Sequence, residues 1–426
     1  MADFASLHAP RRTATDADLS SPVAAAEVAA TRAPLARAHL LPPRVFHDPE
    51  IFAYEQSAWY EPAWLCVGRE EDAVGPGSYF LTEINGENLI VVRGNDGELR
   101  AFFNVCRHRG ATLVTEPCGE LARFQCPYHA WVYDLRGALK PPRYTDLLEG
   151  FDPAEWNLAP CRLATWQGFV FLNLDGQAPE FESAFGDLPD FFARFGLAGL
   201  KRAKRIDYDV AANWKALVEN YSECYHCPGV HPQLNKITPY NLGEWLPSNG
   251  PWNGSWMEVI GDYETLSMDG AIHAGALVPG IEAGDLKRVY YFVIWPHLLL
   301  SLHPDYLMAH MVWPQEVGRT RVTCEWYFSP EAMAKPDFDP SDAIEFWDMT
   351  NREDWAVCEL QQRGTRSRAF TPGRYSTIEG GVHAFDLMAA DRYAADGIVS
   401  SYERVWKQPP TAKAAAAAVG RTAARR

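Results

Sequence analysis

The chain lacks any run approaching the roughly 18 consecutive apolar residues that a membrane-spanning helix requires, so no membrane segment is expected. Its first residues, MADFASLHAPRR, lack a basic start followed by an apolar stretch. No secretory signal is read there, and the cytoplasm is the expected location. No repeat of fixed period is present. Gly280 and Gly284 form no phosphate cradle, and nothing else resembles a dinucleotide-binding unit. Positive charge is in short supply: 39 Lys and Arg stand against 55 Asp and Glu, a net charge of −16. That balance disfavours nucleic acid and anionic membrane as partners. An even set of cysteines is missing too. Nine in 426 residues argues against a disulfide framework, and Cys66, Cys118, Cys161, Cys324 and Cys358 read as buried small hydrophobes.

What is present suits a globular protein of two domains. Hydrophobic residues make up 47% of the chain, with 15 Trp, 18 Tyr and 21 Phe. Such aromatic content fits thick cores and an aromatic-lined cavity. Residues 1–44 are rich in Ala, Arg, Ser and Thr without firm periodicity and read as a flexible tail. The segment 411–426 reads as a disordered tail, although its alanine run has helical propensity. A helix is expected over Asp48–Trp64, with Asp48 as N-cap and Pro49 at its first position. From about 65 to 175, runs such as YFLTEI, ENLIVVRG, ELRAFFNVC and GFVFLNL alternate with turns such as NGEN and NDGE, the pattern of a small all-β unit. After Leu188 a helix-like stretch at Trp214–Tyr225 precedes long strand-like runs, and two helical patterns follow. The expected fold class is α+β: an N-terminal all-β domain over 45–185, and a C-terminal domain over 186–410 with an antiparallel sheet and flanking helices.

Two motifs carry chemistry. The first is C-R-H at 106–108 and C-P-Y-H at 126–129, with 17 residues between His108 and Cys126. Two Cys and two His can hold structural zinc or a Rieske [2Fe–2S] cluster, in which two Cys hold one iron and two His the other. Zinc fingers group like with like. Here each loop offers one thiolate and one imidazole, as a loop that must reach both irons requires. The imidazoles of His108 and His129 are therefore expected at the surface, as an electron exit. Tyr128 and Trp131 flank the second loop, with packing the plainer role for Trp131. Arg107 and Arg109 are placed to screen cluster charge or make a subunit contact.

The second motif lies in NWKALVENYSECYHCPGVHP. His226 and His231 stand five apart, and Pro228 and Gly229 break the helix between them. That break lets the second imidazole turn back towards the first. Two His and one carboxylate form the facial triad that leaves open positions on Fe(II) for O₂. Glu219 and Glu223 are nearby carboxylates, and a remote one also qualifies. Asn220 is a candidate support for the loop. His273, His297, His303, His310 and His383 have no paired spacing and read as hydrogen-bonded or surface residues. Trp252, Trp256, Tyr290 and Tyr291 are candidate pocket residues, of which at most half face a cavity if they lie on strands.

The motifs C-R-H-R-G, C-P-Y-H-x-W and NWK…EN…E-C-Y-H-C…H-P resemble those of the large subunit of Rieske non-haem iron, or ring-hydroxylating, oxygenases. The resemblance spans roughly residues 45–400. It implies a Rieske domain followed by a helix-grip-like catalytic domain, with one [2Fe–2S] cluster on Cys106, His108, Cys126 and His129. It also implies one mononuclear Fe(II) on His226, His231 and Asp354. The residues alone rank Asp354 level with Asp348 and Glu353. By the same resemblance Glu223 is catalytic, bridging a cluster His of one subunit to an iron-ligand His of its neighbour. O₂ is then the co-substrate. NADH or NADPH acts through a separate flavin- and iron–sulfur-containing reductase, and the assembly is a homotrimer without a small second subunit. Glu rather than Asp at 223 is similar to members acting on carnitine, glycine betaine and proline betaine. The expected reaction is hydroxylation or N-demethylation of a small quaternary ammonium compound. The alternative is oxygenation of an aromatic ring or aromatic acid by the same metal centres.

Overall fold

A computed structural model gives the fold and describes residues 20–273, 275–394 and 405. The tail expected at 411–426 lies outside the described residues. Two compact units emerge: Glu55–Phe181 forms one, while Ser20–Tyr54 joins Glu182 onward in the other.

The first unit is all-β. Strands β1 (Leu65–Arg69), β2 (Ser78–Ile84), β3 (Glu87–Arg93), β4 (Leu99–Phe103), β5 (Cys118–Glu120), β8 (Pro160–Trp166) and β9 (Phe169–Asn173) form an antiparallel sheet in the order β1-β9-β8-β4-β3-β2-β5. A separate hairpin pairs β6 (Phe124–Gln125) with β7 (Val132–Tyr133). The β2–β3 turn follows directly from its Asn-Gly pair: Asn85 and Gly86 take φ of 50° and 79°, and two positive φ values match the strand twist. Ile90, Val92, Phe102, Phe124 and Tyr133 pack beneath the loops that carry the Cys/His pairs.

The second unit holds a seven-stranded antiparallel sheet in the order β10-β16-β15-β14-β13-β12-β11. Its strands are β10 (Lys201–Val210), β11 (Gly243–Leu246), β12 (Trp252–Glu258), β13 (Arg288–Ile294), β14 (Leu298–Leu302), β15 (Tyr306–Glu316) and β16 (Arg319–Phe328). The run VYYFVIWPHLLLSLHP divides between β13 and β14 at Pro296, which has no N–H to give a ladder. The first eight residues of β15 are all buried, so this strand is covered on both faces. Helix Trp214–Tyr221 packs on helix Ser341–Gly364 and on helix Gly380–Tyr393. Asn213 caps the first of these, its side chain accepting from the Lys215 N–H at 3.1 Å. Gly381 allows the close approach of the third, because a Cβ there would collide with the Ser222 carbonyl and the Trp245 ring.

Three expectations need correction. The described part of the 1–44 tail is packed: Val23, Val28, Ala38 and Leu41 are buried, Arg32 pairs with Asp391 at 2.9 Å, and Arg374 donates to the Ala38 carbonyl at 2.8 Å. Its apolar residues are buried by turns without helix or strand, so no period betrays them. The helix expected over Asp48–Trp64 runs Pro49–Glu55, with the Asp48 carboxylate accepting from Glu50 N–H at 2.9 Å. It then opens into a wider turn at Gln56–Tyr60 before β1. Finally, Cys118 is exposed, whereas Cys66, Cys161, Cys324 and Cys358 are buried.

Candidate functional site

The two Cys/His loops share one backbone form. In the first, Cys106 N–H bonds the Ala111 carbonyl at 2.8 Å and Gly110 N–H returns to the Cys106 carbonyl at 3.0 Å. In the second, Cys126 N–H bonds the Trp131 carbonyl at 2.8 Å and Ala130 N–H returns to the Cys126 carbonyl at 3.1 Å. The fifth residue of each loop turns left-handed, Gly110 at φ 72° and Ala130 at φ 55°. Both thiols are buried, at 2% exposure, and burial pushes the Cys106 thiol up. His108 and His129 are exposed, with ring centroids 4.6 Å apart. Two interior thiols and two surface imidazoles on matched loops fit the donor set of a Rieske cluster.

Packing holds these groups in place. Trp131 stacks on His108 at 4.7 Å with an 8° interplanar angle, and Tyr128 lies against His129 at 3.8 Å. The Arg109 guanidinium sits 5.1 Å from the Tyr128 ring centre. Tyr133 was not singled out from the sequence. Its hydroxyl lies 3.5 Å from Cys106 Sγ and accepts from Arg107 N–H at 3.1 Å, bracing the first loop from below.

In the second unit, helix Trp214–Tyr221 ends just before the His pair. Pro228 and Gly229, expected from the sequence to break the helix, instead lie within a short helical turn, Cys227–Val230, because proline is tolerated in a first turn; the chain leaves helical geometry at His231. His226 Nε2 and His231 Nε2 lie 3.1 Å apart. Asp354 Oδ1, from helix Ser341–Gly364, is 2.8 Å from His231 Nε2 and 3.2 Å from His226 Nε2. The three groups converge closely enough to hold one metal ion. Each imidazole is steered from behind by a carboxylate: Glu223 Oε1 is 2.6 Å from His226 Nδ1, and Glu353 Oε2 is 2.7 Å from His231 Nδ1. Accepting from Nδ1–H leaves each Nε2 lone pair directed at the common point, as metal-ligating histidines require. Burial pulls the His226 pKa down, but bonds to Asp354 and Glu223 outweigh it and raise it to about 10. Burial raises Asp354, yet the two imidazoles bring it down to about 2. This donor set, two imidazoles and one carboxylate on one side of a shared point, fits Fe(II).

The carboxylates are thus sorted. Asp354 completes the group, Glu353 orients His231, and Asp348 accepts from the Tyr208 hydroxyl at 2.8 Å. Glu219 accepts from Gln361 at 3.2 Å and stands away from the imidazoles. Glu353 as an orienting residue was missed, and its only signal was adjacency to Asp354. The remaining histidines do other work. His310 bonds Asn351, His383 bonds the Thr31 carbonyl, and His303 accepts from Trp347. His273 pairs with Asp269. Cys224 and Cys227 are joined in a disulfide around His226. A bond so local escapes the argument from cysteine number.

A cavity of about 220 Å³ opens on the triad. His226, His231 and Asp354 line it, together with Glu223, Asn220 and the aromatic side chains of Tyr221, Tyr240, Trp245, Trp256, Tyr291 and Trp347. Of the four strand aromatics proposed from the sequence, Trp256 and Tyr291 line it. Trp252 and Tyr290 do not: Trp252 donates to Asp187 at 2.9 Å and Tyr290 to Asp285 at 2.6 Å. Asn220 contributes to the wall, in place of the loop-supporting role expected of it.

The ring hydroxylating alpha subunit (catalytic domain) model matches residues 197–395, and the Rieske [2Fe-2S] domain model matches 63–151. The chain is 32% identical over 379 residues to the glycine betaine monooxygenase oxygenase subunit of Chromohalobacter salexigens, covering 82% of this chain and 84% of that protein. It is 30% identical over 337 residues to the carnitine monooxygenase oxygenase subunit of Acinetobacter pittii, covering 77% and 86%. The solved structure of a quaternary ammonium Rieske monooxygenase, described for carnitine oxidation and inter-subunit electron transfer, matches with a TM-score of 0.73 at 26% identity. That match covers 88% of this chain and all of the other. Among the described residues no helix is long and apolar enough to cross a membrane.

Proposed function

The chain belongs to the Rieske-type ring-hydroxylating oxygenase family, and from that premise we propose that it is the terminal monooxygenase for a small quaternary ammonium compound. It carries a [2Fe–2S] cluster and a mononuclear iron, and takes NADH- or NADPH-derived electrons through a separate reductase. Cys106, His108, Cys126 and His129 would hold the cluster, and His226, His231 and Asp354 the iron. When bound, the cluster supplies single electrons and the mononuclear iron supplies the activation of O₂ beside the substrate.

The observation that carries the substrate class is the aromatic wall beside the triad. A cation over a Trp or Tyr face gains about 0.5–2 kcal/mol per good contact. Two or three such faces select a quaternary ammonium over a neutral analogue of the same shape. Glycine betaine and carnitine, named for the relatives, are zwitterions that carry such a quaternary ammonium group. In the balanced reaction, one N-methyl C–H, O₂, two electrons and two protons give the N-hydroxymethyl product and water. That product then releases formaldehyde and the demethylated amine. Anaerobically purified protein is expected to hold about three irons and acid-labile sulfide. With a surrogate reductase, a panel of quaternary ammonium compounds is expected to give demethylated product and formaldehyde. Silence across that panel, with a benzoate-like acid gaining oxygen, would make the aromatic alternative the correct one.

The working assembly in this proposal is a homotrimer, in which the exposed imidazoles of one subunit's cluster approach Glu223 of the next. Glu223 already holds His226 Nδ1, and its side chain keeps 12% exposure. Glu223→Gln is expected to keep about three irons and bind substrate, while product formation falls about 10- to 100-fold. Turnover at the parent rate would remove the bridging role, and loss of the mononuclear iron would make Glu223 a structural prop instead. Mass measurement in solution checks the trimer; a fully active monomer would contradict it.

A further inference from the structure

Two buried polar groups on the cavity wall are not used by the chemistry above. Asn253 lies on β12 and Tyr291 on β13; both line the cavity. The register pairs Ser255 with Tyr291 and Asn253 with Val293, so Asn253 and Tyr291 project from the same sheet face as diagonal neighbours. That spacing, about 7–8 Å between backbones, lets an amide and a phenol reach one ligand atom. Asn253 is 2% exposed. Among the described residues, neither its Nδ2 nor the Tyr291 hydroxyl has a hydrogen-bond partner. A tyrosine phenol is protonated at neutral pH and can donate. Two buried donors without acceptors on the wall of a ligand cavity point to an acceptor on the ligand.

The charge of the cavity says which acceptor. The carboxylates lining it are Glu223, Glu244 and Asp354, beside the two metal-site imidazoles. Among the described residues no lysine or arginine lines it. The Arg288 guanidinium lies 4.1 Å from the Trp256 ring centre but is not part of the wall. Fe(II) at the triad brings two positive charges against these three carboxylates and leaves a net negative wall, so a further carboxylate is disfavoured there, whereas an uncharged oxygen needs only the two donors. Resting on the quaternary-ammonium reading, we propose that Asn253 and Tyr291 form an uncharged oxygen-binding subsite. The preferred substrate is then a quaternary ammonium compound bearing a hydroxyl or similar neutral oxygen, not a carboxylate.

The test is calorimetric binding to the anaerobic, unreduced holoenzyme, so it reads affinity without turnover. Choline, glycine betaine, tetramethylammonium and the uncharged isostere 3,3-dimethylbutan-1-ol serve as probes. Choline is expected to bind at least about tenfold tighter than glycine betaine, and the uncharged isostere weakly. Tyr291→Phe keeps the ring packed against Tyr221 and Trp347; it should weaken choline about five- to tenfold and leave tetramethylammonium, which has no oxygen, unchanged. Asn253→Leu should do the same, with the visible cluster absorbance as the check on folding. Glycine betaine binding as tightly as choline, or tetramethylammonium weakened equally by Tyr291→Phe, would overturn the subsite while leaving the quaternary-ammonium function standing. Failure of every cation to bind, with an aromatic acid binding instead, would overturn the functional reading itself.

Discussion

Asp354→Ala protein, purified anaerobically, is expected to retain the visible absorbance of the cluster, to hold about two irons in place of about three, and to form no product. With iron held, the carboxylate would be the one charged ligand of the triad, and it touches both imidazoles, at 2.8 and 3.2 Å. Without it the group keeps two neutral nitrogens on one side of the metal point, too weak a set to hold Fe(II) against water. The effect should be far larger than that of Glu353→Gln. Glu353 sits behind His231, and losing such an orienting partner lowers metal affinity by about 10- to 100-fold. Iron and sulfide analysis beside product mass decides the matter. Full iron content with residual turnover in Asp354→Ala would shift the third ligand to Glu353. Loss of visible colour would show instead that the substitution had disturbed the whole chain.

Cys126→Ser is expected to produce the converse pattern: no visible absorbance, no acid-labile sulfide, one iron remaining, and no product with any reductase. A serine hydroxyl is a poor replacement for thiolate on a soft iron–sulfur unit. Cys126 is also 2% exposed and sits in a loop whose backbone is fixed by bonds to Trp131 and Ala130, so no other donor can move in. Cys118, the exposed cysteine on β5, offers a built-in control: Cys118→Ser should change neither colour nor turnover. A Cys126→Ser protein that kept its visible spectrum would remove the cluster from these loops. Substrate binding should survive in this variant, because the cavity residues lie in the other unit.

Legibility differed between the two metal centres. The four candidate cluster ligands come from two stretches of three and four residues. Each stretch is a turn whose donors are fixed by bonds within six residues, so spacing alone carried the chemistry. The second centre was half legible. His226 and His231 announce themselves by their close spacing, but their partner carboxylate comes from another helix. Asp348, Glu353 and Asp354 all lie on that helix, and only resemblance favoured the last. Strand runs in the first unit were mostly readable from their Val, Ile, Phe and Tyr content. β1, β8 and the short β5 were not, because strands there take their stability from neighbours already in place.

By itself, then, the amino-acid order determined the short-range features: the mixed Cys-His loops, the close spacing of His226 and His231, the Asn-Gly hairpin and the α+β class. Tertiary structure alone decided the rest. The rotation of helix Ser341–Gly364 against the sheet turns Asp354 to both imidazoles, Glu353 to the back of His231 and Asp348 to Tyr208. The pairing of β12 with β13 brings Asn253 and Tyr291 to one cavity wall. Packing in the second unit takes up residues 20–44, which look like a tail when read in order. The reason is common to all three. A side chain's local neighbours set its backbone conformation, but which distant group it meets depends on how whole elements pack, and that information is spread over cores tens to hundreds of residues away in the chain.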